Sequence, residues 1–301
     1  MTVATTHPNP AERARTYASF VRFEHTLFSL PLILAGVFSV PGPAMSVGRW
    51  VLVAIAAVGA RTAAMALNRI IDRRLDALNP RTKTRELPAG RMRPFEAWAL
   101  LLASTAVYLA CCALLGPWYL EVAAIPLAVF AFYPYLKRFT PFCHFGVGLA
   151  LALSPLAGYA AAHPDLANPG VALWIAGFAL AWVSGFDIIY ATLDEDFDRL
   201  HRVRSMVAWL GRPRALRVSA VLHAGAFGCL VVAAWLLVSS RVTTRSSVLA
   251  AVIGTLTIAA VLLWLEQRWA EDVDLAFFRV NVFVGLSVLA LVLAARAGGG
   301  F

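Results

Sequence analysis

Residues 166–198 read LANPGVALWIAGFALAWVSGFDIIYATLDEDFD. Twenty-one positions pass without Asp, Glu, Lys or Arg, and four aspartates and a glutamate follow within the next twelve. As a helix the uncharged part is about 30 Å long, the thickness of a bilayer's hydrocarbon core. The pattern recurs along the chain. Residues 26–48, 97–120, 139–164, 218–240 and 246–265 are equally free of these charges, and 49–68, which begins at Arg49, is interrupted by Arg61. Residues 120–136 and 280–296 are shorter apolar runs. The 301-residue chain is 60% hydrophobic and only 14% charged, with a mean hydropathy of +0.72. Soluble domains carry about 25% charged residues. No soluble core of this size could bury so many apolar runs. The sequence predicts an all-α membrane protein with about nine transmembrane helices.

Charge sets the expected orientation. With the N-terminus inside, 21 of the 26 Lys and Arg residues fall in inner segments: the tail, 68–94, 137–141, 194–217 and 267–279. Arg49, Arg241, Arg245 and Arg296 fall outside, and Arg61 lies within a span. Positive charge collects on the cytoplasmic side. This predicts a multi-pass protein of the cytoplasmic (inner) membrane, with the N-terminus and charged loops cytoplasmic. Residues 1–20 read as a polar cytoplasmic tail before a retained first span. The net charge of +9 follows from this topology and does not point to nucleic acid. Inner basic loops favour anionic membrane lipids or phosphorylated substrates. Cys111, Cys112, Cys143 and Cys229 share no metal or redox spacing and read as small apolar residues. His25 and His144 lie near inner helix ends. His7, His163, His201 and His223 form no cluster and read as structural or incidental.

Two acidic stretches stand at inner helix ends. NRIIDRRLD at 68–76 spaces Asn68, Asp72 and Asp76 four apart, within about 80° of one helix face. At 186–198, Asp194 and Asp198 fall within about 20° of the helix face that carries Asp187 if a single helix carries through, with Tyr190 about 60° away. The stretches resemble copies of one design. Asp72 and Asp76 map onto Asp194 and Asp198 with an offset of 122, and AGRMRP at 89–94 resembles LGRPRA at 210–215. Four spans lie between them, so the copies would point the same way, with a site expected between the halves. The expected organisation is one transmembrane domain, 1–301. It has the tail, two parallel four-helix halves at about 20–140 and 141–267, and a last helix at 280–296.

An acidic pair at a helix end is usually no more than solvated. Two pairs on one side of the membrane, each followed by arginine, carry further meaning. Carboxylates sharing a cavity repel unless cations intervene. Oxygen donors in this number suit Mg2+, which binds a few carboxylates together with substrate phosphates. The surrounding Arg and Lys residues suit a metal–diphosphate complex better than a bare metal cage. A charged diphosphate head beside an apolar bundle has the shape of an isoprenyl diphosphate. Metals would neutralise charge on its leaving group, and a dry pocket would protect the allylic cation.

The motifs NRIIDRRLD and DIIYATLDEDFD resemble the two signatures of the UbiA superfamily of intramembrane prenyltransferases, N-x-x-x-D-x-x-x-D and D-x-x-Y-A-x-x-D-x-x-x-D. YPYLKRFT at 133–140 is similar to that family's Y-P-x-x-K-R-x-T segment. The resemblance implies a nine-helix bundle around a central cavity, Mg2+ dependence and transfer of a polyprenyl group from polyprenyl diphosphate to an acceptor. Position by position, it implies that Asn68, Asp72 and Asp76 hold one Mg2+ and part of the diphosphate, and that Asp194 and Asp198 hold a second Mg2+. Lys137 and Arg138 would bind diphosphate or an acceptor carboxylate. Asp187 and Tyr190 would face the acceptor, with Asp187 polarising its hydroxyl. Arg61, seven residues before Asn68 and on its face, is an intramembrane arginine with either a site role or a helix-pairing role. Arg22 and His25 would cap the same cavity or anchor the first span at the interface.

The broad match within the superfamily is to 4-hydroxybenzoate polyprenyltransferases of quinone (ubiquinone-type) biosynthesis. RFEHTLFSLP at 22–31 and GFDIIYATLDEDFD at 185–198 look more like the branch serving menaquinone synthesis through futalosine, which implies a dihydroxynaphthoate acceptor. RLHRVRSMVAWLG at 199–211 departs from the family's form, which places Gly shortly before the position of Ser205. A divalent-cation transporter using the same carboxylates is the rival from another class. Ion pathways place acids near the midplane, whereas these sit at one surface.

Overall fold

The computed structural model describes residues 9–22, 26–42, 44–239, 245–270 and 275–297, without the side chains of residues 10, 26–28 and 275–279. Among them every regular element is helical: α1 (Pro10–Phe20), α2 (Thr26–Val37), α3 (Val47–Leu78), α4 (Pro94–Leu115), α5 (Pro117–Val122), α6 (Ala124–Leu136), α7 (Cys143–Ala162) and α8 (Gly170–Ala191). A 3-10 turn (Thr192–Asp194) leads to α9 (Glu195–Leu200), α10 (Met206–Leu210), α11 (Arg212–Ser239), α12 (Ser246–Arg268) and α13 (Leu275–Arg296). Seven helical stretches are long and apolar enough to cross a membrane: α3, α4, α5 with α6, α7, α8 through α9, α11 and α12. The expected all-helical membrane fold is present, but the count of nine is not reached among the described residues. α2 has 12 residues, and the apolar part of α13, Val280–Arg296, is also short.

The chain forms two compact units. The first contains Met1–Thr26 and Ala54–Ala131. Its core sets the small α3 residues Ala63 and Ala66 against Phe20, Leu87, Met92, Ala97 and Leu101. Gly59 lets α4 approach closely, since a Cβ there would lie 3.1 Å from the Ser104 carbonyl oxygen. Small residues play this role where helices pack in lipid. The polar stretch at the start folds as α1, begun by a capping box. Asn9 Oδ1 accepts from the Ala11 N–H, and Glu12 accepts from the Asn9 N–H at 3.0 Å. Arg13 pairs with Glu96 at 2.6 Å, and the Ser19 hydroxyl donates to Glu86 at 2.7 Å. α1 therefore lies against the 79–93 loop and the start of α4. Pro80 explains the end of α3, because the residue before a proline is pushed out of the helical region. Asn79 Oδ1 then accepts the Arg81 N–H at 2.9 Å and turns the chain.

The second unit contains Leu27–Val53 and Phe132–Phe301. α8 is its innermost helix. Of its membrane window 61% is buried, and no other span exceeds 39%. Ile175, Phe178 and Trp182 pack with Leu230 of α11 and Leu291 of α13. α2 and α7 meet through glycine: a Cβ on Gly36 would collide with the Pro155 carbonyl, and one on Gly158 with that of Ile33. Trp235, Trp264 and Val221 point outward, as helices in contact with lipid require.

A buried polar network joins α8, α11 and α12. The Trp182 indole N–H donates to Glu266 Oε1 at 3.1 Å, and His223 Nε2 lies 3.4 Å from Glu266 Oε2 and 3.3 Å from the Trp182 carbonyl. Gln267 donates to His223 Nδ1 and to Ser219 Oγ, each at 2.9 Å, while the Ser219 hydroxyl donates to the Gly185 carbonyl at 2.7 Å. His223 therefore carries its hydrogen on Nε2. A lone histidine in an apolar run is here one member of a buried hydrogen-bonded network.

Candidate functional site

The first acidic stretch belongs to the first unit, on a helix that stays continuous through Leu78. Asp72 and Asp76 are 2% and 7% exposed, and Asn68 is half-buried. Arg73 and Arg74 face outward, but Arg69, which reads in sequence as part of the same basic flank, is buried. Asp76 Oδ1 accepts from Arg85 at 2.7 Å, while its Oδ2 is enclosed with no hydrogen-bond partner. The Thr82 hydroxyl donates to the Asp76 carbonyl at 3.1 Å, so the 79–93 loop holds this residue through backbone and side chain. Arg69 lies within electrostatic reach of Asp76, Glu86, Arg85 and Arg22. Its Nε and Nη1 hydrogens are buried without acceptors. Arg22, in the left-handed region at φ 48°, thus lies near this cluster. Arg61 is half-buried two turns before Asn68. His25 lies outside the described residues.

The second stretch belongs to the second unit, and there the condition of one uninterrupted helix is not met. α8 stops at Ala191, a 3-10 turn covers Thr192–Asp194, and α9 restarts at Glu195. At the break the Thr192 hydroxyl bonds the Ile189 carbonyl at 2.7 Å and its N–H bonds the carbonyls of Ile189 and Tyr190. The i, i+7, i+11 stripe therefore does not hold as straight-helix geometry. Asp194 becomes the N-cap residue of α9, Asp198 is buried, and Tyr190 is 38% exposed.

What gathers these residues is a loop that spacing does not reveal. The Ser205 side chain hydrogen-bonds Asp198, which also lies within electrostatic reach of Asp194, Lys137 and His144. The Val203 N–H donates to the Asp198 carbonyl at 2.9 Å. Arg204 bonds back to the basic turn, its N–H to the Lys137 carbonyl and its guanidinium to the Phe139 carbonyl, each at 2.7 Å. Lys137 and the second acidic pair are thus tied together, whereas Arg138 is exposed and lies over the Tyr135 ring at 4.8 Å. Asp187 is bonded by His144, whose Nδ1 lies 2.6 Å from Oδ2, while His144 Nε2 accepts the Met206 N–H at 3.2 Å. Sequence reasoning missed Arg69, Ser205 and Arg204, and it left His144 unassigned. The signals available were weak: one histidine near a helix end and one serine before a short apolar run.

Among the described residues no three His, Cys, Asp or Glu side chains gather into a metal-holding group. The acids come as pairs, with a buried carboxylate oxygen of Asp76 left for an external partner. All the donors are hard oxygens. Such a set fits Mg2+ taking one or two carboxylates together with phosphate oxygens, and does not fit a closed protein cage.

Acid pairs at the ends of membrane-spanning helices, with Asp72, Asp76 and Asp198 buried and Asp194 half-buried, belong here to an integral membrane protein. The UbiA prenyltransferase family model matches residues 29–294. The chain belongs to that family and is a membrane-embedded polyprenyltransferase. It is 26% identical over 205 residues to the 4-hydroxybenzoate octaprenyltransferase of Vibrio parahaemolyticus, covering 67% of this chain and 72% of that one. The apo structure of a UbiA homolog from Aeropyrum pernix K1 is 33% identical with a TM-score of 0.74, covering 91% of this chain and 96% of that one. A UbiA homolog from Archaeoglobus fulgidus bound to GPP and Mg2+ shares the fold at 17% identity and a TM-score of 0.66, covering 94% and 99%.

Proposed function

We propose that this enzyme transfers a polyprenyl group from polyprenyl diphosphate to a hydroxylated aromatic acid of the 4-hydroxybenzoate type, with release of diphosphate. The observation that carries the reading is the enclosed cluster of Asp194, Asp198 and Lys137 tied by one loop to Asp187. It sets groups for a metal-bound diphosphate beside a carboxylate suited to a hydroxyl. Asn68, Asp72 and Asp76 would hold one Mg2+, and Asp194 and Asp198 the other. Bound Mg2+ would supply neutralisation of the leaving diphosphate's charge. Lys137 and Arg138 offer cationic donors to diphosphate or to an acceptor carboxylate. Asp187 would accept a hydrogen bond from the acceptor hydroxyl, with Tyr190 beside it. Apolar helix walls would house the prenyl tail and keep water out.

The names of the curated relatives support 4-hydroxybenzoate. The sequence at 22–31 and 185–198 favours a dihydroxynaphthoate acceptor on the futalosine route to menaquinone. The charge distribution supports a cytoplasmic-membrane location with the site on the inner side, and the two halves read as parallel repeats. Gly90 and Gly211, at matching places in the copies, both adopt positive φ, 70° and 77°.

The test supplies membranes with a polyprenyl diphosphate and an equimolar mixture of both acids. Pyrophosphate release is measured with Mg2+ and with a chelator, and products are weighed by mass spectrometry. Release should require Mg2+, and Asp72→Asn or Asp194→Asn should lower it by at least 100-fold, on the scale of losing a principal electrostatic group. Full activity in either variant would sink the metal assignment. Mg2+ uptake into proteoliposomes with no prenylated product would favour the transporter.

A further inference from the structure

His144 is 2% exposed, in the first turn of α7, and both of its ring nitrogens are engaged. A backbone N–H can only donate, so the Met206 N–H at 3.2 Å requires a lone pair on Nε2. The ring hydrogen then sits on Nδ1, which donates to Asp187 Oδ2 at 2.6 Å. This orients one carboxylate oxygen and leaves the other, on a side chain 29% exposed, for a substrate hydroxyl. The support for His144 comes from the loop that also holds Asp198. Ser205 hydrogen-bonds Asp198, and the next residue, Met206, bonds His144. A short chain of contacts, Asp198–Ser205–Met206–His144–Asp187, therefore links a carboxylate assigned to metal with one assigned to the acceptor.

We propose that His144 is a positioning residue for Asp187. It fixes the carboxylate's orientation, and the Met206 N–H holds the ring that does so. The inference rests on the reading of Asp187 as the acceptor-side group, and the same geometry explains why a histidine stands in an otherwise apolar helix. Buried histidines paired with carboxylates commonly have tautomer and orientation fixed by such second bonds.

The test is a kinetic series with a spectroscopic partner. His144→Ala should lower turnover on the order of 10–100-fold, the range seen when an orienting partner is lost, with the KM for polyprenyl diphosphate and the Mg2+ dependence unchanged. His144→Asn, whose amide nitrogen can stand where Nδ1 stands, should recover most of that loss. His144→Gln, which reaches the Nε2 position, should not. Nitrogen-15 spectra of histidine-labelled enzyme should show one ring with hydrogen on Nδ1, perturbed by Asp187→Asn. Equal damage by Ala and Asn, or a proportionate rise in every kinetic constant, would overturn the positioning role. A hydrogen on Nε2 would overturn it even if the variants fail to fold. Full activity in Asp187→Asn would instead overturn the acceptor-side reading on which it rests.

Discussion

Arg202 sits in the left-handed region at φ 55°, exposed, three residues before Ser205. A side chain there costs about 1–2 kcal/mol relative to glycine, because Cβ crowds the following carbonyl. Arg202 thus stands, within the 199–211 segment, at a backbone position that favours glycine. Arg202→Gly should stabilise the protein, with a net gain of about 0.5 kcal/mol after glycine's larger unfolded-state entropy is subtracted. Thermal unfolding in detergent measures this, and a lowered midpoint would show that the arginine side chain contributes more than its backbone costs. At this scale, what the sequence reveals is whatever lies within one turn of helix. Asn68, Asp72 and Asp76 were legible because i, i+4 spacing is a property of the chain itself. Arg69 was not, since its burial depends on Glu86 and Arg85, brought to it by a loop. His144 and Asp187 are 43 residues apart, and no pattern in either segment announces the other.

Elements show the same division. Helix existence followed from uncharged length. The break at Thr192 did not, because a threonine that bonds back to its own helix is ordinary in a continuous helix as well. The network of Trp182, His223, Glu266 and Gln267 lies beyond pattern reading for another reason. Its members sit on three helices, and each looks like an isolated polar residue in an apolar run. Inside a membrane such groups are costly unless they satisfy one another. Glu266, fully buried, is the acceptor for the Trp182 indole. Glu266→Ala would strand that indole, and should cost about 2 kcal/mol. Glu266→Gln, which keeps an acceptor oxygen and the volume, should cost under about 1 kcal/mol. Unfolding midpoints of the two variants decide the matter, and an Ala variant as stable as the parent would mean that the network contributes no stability.

For the molecule as a whole, the question left by seven long helices is whether α2 crosses the membrane. At 12 residues it spans about 18 Å, short of a core of about 30 Å. Contacts within the first unit answer by parity. α1 is bonded to Glu86 of the 79–93 loop and to Glu96 at the head of α4, so the N-terminal segment and that loop share one face of the membrane. α3, at 32 residues, crosses once between its ends. The chain leaving α1 must then cross once before α3 begins, and only the α2 segment is available. We expect α2 to complete a crossing with help from its flanking residues, as short spans do by local thinning of the bilayer. Charge agrees, since α1 and the 79–93 loop are both rich in arginine. Epitope tags at the N-terminus and after Lys83 should be protected in intact cells and accessible in inverted membrane vesicles, while a tag after Asn168 should behave oppositely. An N-terminal tag exposed on the same side as the one after Asn168 would mean that α2 does not cross, and that the bonds from α1 to Glu86 and Glu96 do not form in the membrane.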